Sequence, residues 1–440
     1  MFALIGDLYP ICRSITGNGV RATLRELQRI LPLSIFEVDS GTRVFDWTVP
    51  NEWNIADAWI ADASGQRVVD FRKSNLHVVS YSVPVHARMT LSELRSHLHT
   101  LPEQPDLIPY RTSYYKEDWG FCLPHRVLEQ MTDGEYEVCI DSTLRPGTLT
   151  YGELVLPGST TDEILISTHV CHPSLANDNL SGIAVSAFLA RHLASQERHH
   201  TFRFLFIPGT IGSITWLALH QDHLQSIRHG LVLSCLGDRG HVSYKRSRRR
   251  TALVDRAASH VLAQHGPHTI NDFVPYGYDE RQYCSPGIDL PVGCLTRTPN
   301  GKYPQYHTSA DNLDFISVEF LNDSLSTLLE IIEVVEHNRT YVTMNPMCEP
   351  QLGRRGLYKN TGGSSLKEFE MSLLWVLNFS DGTHSLLDIA ERASLPFAVV
   401  RSAAEALERA QLLRPLSHSF AHRAAIDRST VLRPAKVRRR

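Results

Sequence analysis

Ser167-Thr-His-Val-Cys-His-Pro-Ser-Leu-Ala-Asn-Asp-Asn-Leu-Ser-Gly182 is the stretch that decides how this chain is read. It follows the apolar run Glu163-Ile-Leu-Ile-Ser-Thr, the pattern of a buried strand. It leads into Ile183-Ala-Val-Ser-Ala-Phe-Leu-Ala-Arg-His-Leu, which has helical periodicity and good helix formers. Strand end, polar loop and helix start together place His169, His172 and Asp178 at the carboxyl edge of an α/β sheet, where open sheets bind ligands. Imidazole and carboxylate are the groups that hold zinc in hydrolytic sites. The plainer alternative is a polar loop whose Asn or Asp caps the helix. A later segment, Tyr303-Pro-Gln-Tyr-His-Thr-Ser-Ala-Asp-Asn312, supplies another loop histidine, His307, beside a carboxylate. With both segments present, a metal site is the better expectation.

Working outward, the chain alternates strand and helix from about residue 135. Strands are expected at 163–168, 202–208 and 230–235, and helices at 181–193, 213–224 and 252–264, with a long helix at 315–336. Such alternation predicts a mostly parallel sheet covered by helices on both faces. Residues 1–38 join this domain through a helix near 20–31 and a short strand. Between them, 39–130 is rich in Trp, Tyr and Pro with short β-like runs, so a small β-rich insert is expected. The division is therefore 1–38 plus 131–345 for the α/β domain, 39–130 for the insert, and 355–420 for three short helices of winged-helix type. The basic end, 421–440, reads as a disordered tail.

With 440 residues, 42% hydrophobic and 21% charged, the chain is an ordinary multidomain globular protein. A formal charge of −3 gives no electrostatic case for nucleic acid or membrane as partner. No signal peptide or spanning segment is read. Eight scattered cysteines suit a reducing cytoplasm.

Several further motifs carry a resemblance. They are Arg13-Ser-Ile-Thr-Gly-Asn-Gly, Asp46-Trp-Thr-Val-Pro-Asn-Glu-Trp, Tyr110-Arg-Thr-Ser-Tyr-Tyr, Trp119-Gly-Phe-Cys, Tyr244-Lys-Arg-Ser-Arg and Tyr278-Asp-Glu-Arg-Gln-Tyr-Cys-Ser-Pro-Gly. The core resembles the di-zinc aminopeptidases, the group of bacterial leucine aminopeptidases and glutamate carboxypeptidase. Nearly the whole chain resembles the bacterial aminopeptidase-like proteins with an inserted β-rich domain and a C-terminal winged helix. The resemblance implies that His169 is the first histidine ligand, Asp178 the shared carboxylate and His307 the last histidine. Those three suffice for one catalytic zinc.

The departures matter as much. Where the di-zinc enzymes carry two adjacent glutamates, one the base and one a ligand, this chain has Gly209 and Thr210. Their last aspartate ligand falls at Cys235, and an outer aspartate at Cys171. One zinc is therefore expected rather than two, with His172 or Cys235 as candidates to rebuild a lost position. A thiol at a strand end is otherwise simply packed. Glu280 is the candidate replacement base, Asp279 a candidate for a substrate amine, and Arg281 for a carboxylate. The alternative for all three is a salt-bridged loop. Tyr306 either donates to a developing oxyanion or is packed. The run Tyr244-Lys-Arg-Ser-Arg-Arg-Arg250 either meets an acidic partner or is a solvated loop. In 366–410, Lys367, Arg392, Arg401 and Arg409 stand against seven acidic side chains, too few cations to hold DNA phosphates.

The expected function is a cytoplasmic bacterial zinc hydrolase that cleaves an amide bond in a small peptide or aminoacylated metabolite. It is expected to form a homo-oligomer, with the insert walling the site through rings such as Tyr115 and Trp119. The alternatives are an amide-processing or amide-forming enzyme of a polysaccharide or natural-product pathway, and a non-catalytic ligand-binding homologue.

Overall fold

The computed structural model describes residues 1–357 and 364–416. They divide into two compact units, Met1–Leu329 and Glu330–Arg440, the boundary falling inside the helix Val318–His337. The basic tail expected at 421–440 lies outside the described residues.

The first unit is built on eight strands: β1 Ser34–Asp39, β2 Thr148–Leu156, β3 Glu163–His169, β4 Thr201–Ile207, β5 Ile227–Leu233, β6 Val242–Lys245, β7 His268–Asn271 and β8 Val292–Thr296. Their spatial order is β1-β2-β4-β3-β5-β8-β6-β7. The four central strands β4-β3-β5-β8 are mutually parallel. Antiparallel pairing enters at β1–β2, β2–β4 and β8–β6, so the sheet is mixed around a parallel centre. Strand β3 is buried at every residue, as a strand flanked on both sides and covered on both faces must be. At its start Glu163 accepts two bonds from the Arg203 guanidinium of β4, at 2.7 and 2.9 Å, and the same guanidinium also pairs with Glu153 of β2. That buried network fixes the relative register of three neighbouring strands. Helices Gly182–Ala194 and Ile211–Leu219 connect β3 to β4 and β4 to β5, and Leu253–Gln264 connects β6 to β7.

The expected helix near 20–31 is Asn18–Gln28, and a second helix, Phe2–Leu8, precedes it. The β-rich insert has an antiparallel sheet in the order Arg67–Asp70, Glu52–Ala61, Glu135–Arg145, Val85–Thr90. Its longest strand, Glu135–Arg145, lies beyond residue 130, so the insert runs to the turn at Pro146-Gly147. Composition draws the boundary at 130, whereas antiparallel pairing with Glu52–Ala61 and Val85–Thr90 places this strand in the insert's sheet.

The second unit has helices Ser364–Phe379, Leu386–Ala393 and Phe397–Arg409, and a small antiparallel sheet of Asp381–Ser385, Thr340–Thr343 and Leu413–Pro415. Ser385 and Asp388 form a reciprocal capping box that starts the second of these helices. Leu373, Val376, Leu387, Ile389, Val400 and Leu407 make its core, completing a winged-helix domain. No helix among the described residues is long and apolar enough to cross a membrane.

Candidate metal centre

His169 is the last residue of β3 and is completely buried. The loop that follows is held by its own side chains. Asn179 donates to Thr168 Oγ1 at 2.8 Å and to the His169 carbonyl at 3.0 Å, while its Oδ1 accepts the Cys235 N–H at 3.3 Å. It thereby ties the ends of β3 and β5 together. Ser181 Oγ accepts the Leu236 N–H at 2.8 Å, and Asn177 Oδ1 accepts the Gly237 N–H at 2.8 Å. Gly182 is needed where the helix starts, because a Cβ there would lie 2.6 Å from the Leu233 carbonyl oxygen. The segment carrying Asp178 is gripped from the opposite side by Asp311. Its carboxylate accepts the N–H groups of Asn177 and Asp178 at 2.6 and 3.0 Å. Burial, partly offset by those bonds, pushes the Asp311 carboxyl up to about 7.

Three imidazoles converge on Asp178. His169 Nε2 lies 2.9 Å from Oδ1, His307 Nε2 3.1 Å from Oδ2, and His172 Nε2 3.8 Å from Oδ2. Potential ligand atoms of His169, His172 and Asp178 all lie within 4.8 Å of one another. His307 sits in the left-handed region at φ 55°, and its carbonyl accepts the Tyr110 N–H of the insert at 2.7 Å. Its side chain is 33% exposed, which makes it the open edge of an otherwise closed cluster.

The donor set fits a metal ion. Burial holds the His169 imidazole below its ordinary value and the His172 imidazole well below, which favours the neutral, ligating form of both rings. Burial works against the Asp178 charge, but the three histidines outweigh it and hold the carboxyl well below the usual range. A fully buried carboxylate with three imidazole nitrogens beside it is the donor set that a dication takes. His169 Nδ1, buried without a hydrogen-bond partner, marks the cluster as polar beyond what its protein contacts satisfy.

The loop bearing His172 is fixed from beneath by Arg13. This fully buried guanidinium donates to the carbonyls of Leu8, His172 and Pro173, each at 2.7 Å. Burial lowers it to about 10.

The remaining candidates are distributed unevenly. Cys235, at φ 50°, aims its sulfur at Asn300 Oδ1 (3.2 Å) and Tyr303 Oη (3.6 Å), outside the close ligand group, and burial keeps its thiol well above the ordinary value. Glu280 is engaged by Lys245 Nζ and by the Tyr278 N–H, 3.1 Å from each oxygen, so it is not free to face the cluster as a base. Asp279 accepts from Ser213 Oγ at 2.9 Å, its other oxygen has no partner, and burial pushes it up to about 8. It is thus a neutral acid near pH 7, not a counterion for an amine. Arg281 Nε is buried without a partner. Tyr306 stacks on His307 at 3.9 Å, which puts its ring beside the open edge. The basic run is ion-paired: Arg246 and Arg250 meet Asp272, and Arg248 and Arg249 meet Asp289.

Two residues of the cluster carried no assigned role in the sequence. Tyr110 of the insert packs against both His172 (5.2 Å) and His307 (5.0 Å), whereas Trp119 stacks on His97 and Tyr115 packs on Trp47. Tyr278 lies over His169 with ring centroids 3.7 Å apart. The signal for it was Gly209: a Cβ there would overlap Tyr278 Cε1, so the missing side chain leaves the space that the ring fills.

A family model described as a domain of unknown function (DUF4910) matches residues 2–338, and one for a winged helix-turn-helix matches 339–415. A Clostridium acetobutylicum protein named "Putative polysaccharide biosynthesis protein with aminopeptidase-like domain" is 52% identical over 94% of this chain and 96% of its own. A crystal structure of a protein from the same organism, described as a putative peptidase, is 50% identical with a TM-score of 0.90, covering 94% of this chain and 96% of that one. The zinc aminopeptidase BSAP of Bacillus subtilis superposes with a TM-score of 0.54 at 13% identity, over 76% of this chain and 94% of that one. The peptidase M28 precursor of Shewanella amazonensis gives 0.53 at 13% identity, over 76% and 92%. The first unit therefore has the zinc-aminopeptidase fold.

Proposed function

The chain belongs to the DUF4910 family, and we propose that it is a metal-dependent hydrolase of an amide bond, with one zinc ion held by His169, His172, Asp178 and His307. The observation that carries this reading is the convergence of three imidazoles on one buried carboxylate at the carboxyl edge of a parallel sheet centre. Bound there, zinc would supply Lewis acidity toward an amide carbonyl and make water more acidic.

The chain's own residues set the rest. His307, exposed on one side, is where a substrate can approach, and Tyr306 beside it keeps its proton because burial raises the phenol far above its ordinary value. That O–H is the donor available to an oxyanion. Tyr110 packs against His172 and His307 and holds both rings in place in this reading. Glu280, tied to Lys245, anchors the loop of Tyr278 in this reading. The name of the 52% identical relative favours a second form of the proposal, in which the amide belongs to a sugar intermediate of polysaccharide synthesis. The winged-helix unit, net acidic over 366–410, serves assembly of copies in this reading rather than DNA binding. Eight free cysteines support a reducing, cytoplasmic setting.

Elemental analysis of protein purified without chelator tests the metal. About one zinc per chain is expected in the native protein and in Cys235→Ser, and close to none in His307→Ala. Two ions in the native protein refute the single-metal site. Loaded protein that turns over neither aminoacyl amides nor N-acylated amino sugars refutes the hydrolase.

A further inference from the structure

We propose that Tyr278 is a positioning residue for both histidines of the β3 loop, seated in the space left by the side chain that Gly209 lacks. This inference rests on the metal-centre reading above. Any residue larger than glycine at 209 collides with the ring, since a Cβ there would overlap Tyr278 Cε1 and lie 2.8 Å from Cζ. The ring covers the His169 imidazole, with centroids 3.7 Å apart and planes 28° from parallel. Its hydroxyl reaches the second histidine, with Oη 3.5 Å from His172 Nδ1 and 3.3 Å from Cys171 Sγ. Cys171 Sγ in turn lies 3.6 Å from the Gly209 carbonyl oxygen.

These contacts form a directed chain. His172 turns Nε2 toward Asp178, so a metal bound at Nε2 leaves Nδ1 carrying hydrogen, and a ligating imidazole needs an acceptor for that hydrogen. Tyr278 Oη accepts it and donates its own O–H to the Cys171 sulfur, whose S–H is directed at the Gly209 carbonyl. One side chain therefore fixes the rotation of His169 by its face and the tautomer of His172 by its oxygen. Two departures from the di-zinc pattern, Cys171 and Gly209, are linked by this placement: the phenol that bonds to Cys171 fits only because 209 is glycine.

The test is cobalt(II) binding, read by competition with a chromogenic chelator and by the visible spectrum of the bound ion, in the native protein, Tyr278→Phe and Gly209→Ala. Tyr278→Phe keeps the stack and removes the oxygen, leaving His172 Nδ1 only the weaker acceptor Cys171 Sγ at 3.6 Å, so affinity is expected to fall about ten-fold with a changed spectrum, while the unfolding midpoint of metal-free protein stays put. Gly209→Ala leaves the phenol intact but displaces it, and a similar loss is expected. Native affinity and spectrum in Tyr278→Phe overturn the inference and leave the metal site standing. A metal-free midpoint that falls together with the affinity assigns Tyr278 to packing and also overturns it. Native protein that takes up no cobalt overturns both the inference and the metal-centre reading.

Discussion

Replacing Asp279 by asparagine separates a structural acid from one that serves substrate. The carboxyl is fully buried, bonded only through Oδ1 to Ser213 Oγ, and raised from 3.8 to about 8, chiefly by burial and with a smaller contribution from Glu280. Between about pH 4 and pH 8 the folded protein therefore keeps a proton that the unfolded chain has released. The stability this group contributes is complete below about pH 4 and is lost as pH rises through 8. Each pH unit inside that window lowers the unfolding free energy by about 1.4 kcal/mol, so the step from pH 5 to pH 7 removes roughly 2.7 kcal/mol. The amide introduced by Asp279→Asn does not titrate, although its added N–H₂ meets no acceptor and costs about 1–2 kcal/mol at every pH. The assay is urea unfolding of native and Asp279→Asn protein at pH 5, 6 and 7, with chelator present so that metal linkage does not enter. By pH 5 the native protein has already lost about 1.6 kcal/mol of this contribution, so the two proteins should be about equally stable there, and the variant should be the stabler by roughly 2–3 kcal/mol at pH 7. A difference that stays flat across this range refutes the reasoning, because all other titrating groups are common to both proteins.

Arg13→Met removes the side chain that donates to the Leu8, His172 and Pro173 carbonyls while keeping most of the volume; a loss of about 2–4 kcal/mol in urea unfolding is expected, together with weaker metal retention during dialysis against chelator. Unchanged stability would mean that water replaces the guanidinium. Gly182→Ala places a methyl 2.6 Å from the Leu233 oxygen and into overlap with Asn179 Oδ1, so it should cost about 2 kcal/mol or more by the same measurement, and a neutral result would show that the β3–β5 junction can spread.

How legible the molecule was depended on the range of the interactions concerned. The alternation of apolar strands and periodic helices from 163 to 264 matches β3, β4 and β5 with their helices to within a few residues, because strands buried on both faces read as continuous apolar runs and the helices as periodic ones. The strand Glu135–Arg145 was assigned to the wrong domain because its partners, Glu52–Ala61 and Val85–Thr90, lie far away in sequence. Of the candidate site, the set His169, Asp178 and His307 rests on the resemblance to the zinc aminopeptidases, and the structure brings these three side chains together. His172 remained one option among several, since its place beside Asp178 depends on Arg13, 159 residues away. Glu280 looked available because the sequence does not reveal that Lys245 folds back onto it. Tyr278 was a letter in a motif until the gap at Gly209 gave its ring a position.

Charge balance supports one ion over two at this site. Three neutral imidazoles and the Asp178 carboxylate around a single dication leave a net charge of +1 in a buried cluster. A second dication in the same pocket would raise it to +3 unless new anions appeared. The position that supplies such an anion in the di-zinc enzymes is Cys235 here, whose sulfur faces Asn300 and Tyr303 and whose thiol is held protonated by burial. The paired positions Gly209 and Thr210, just before the helix Ile211–Leu219, carry no charge either. Arg13 adds a buried positive group bonded to the His172 carbonyl, which makes a further cation costlier still in a medium of low dielectric constant. Gly209, Thr210 and Cys235 thus lack the negative charge that a second metal would need, and His172 offers the first one a donor without charge of its own.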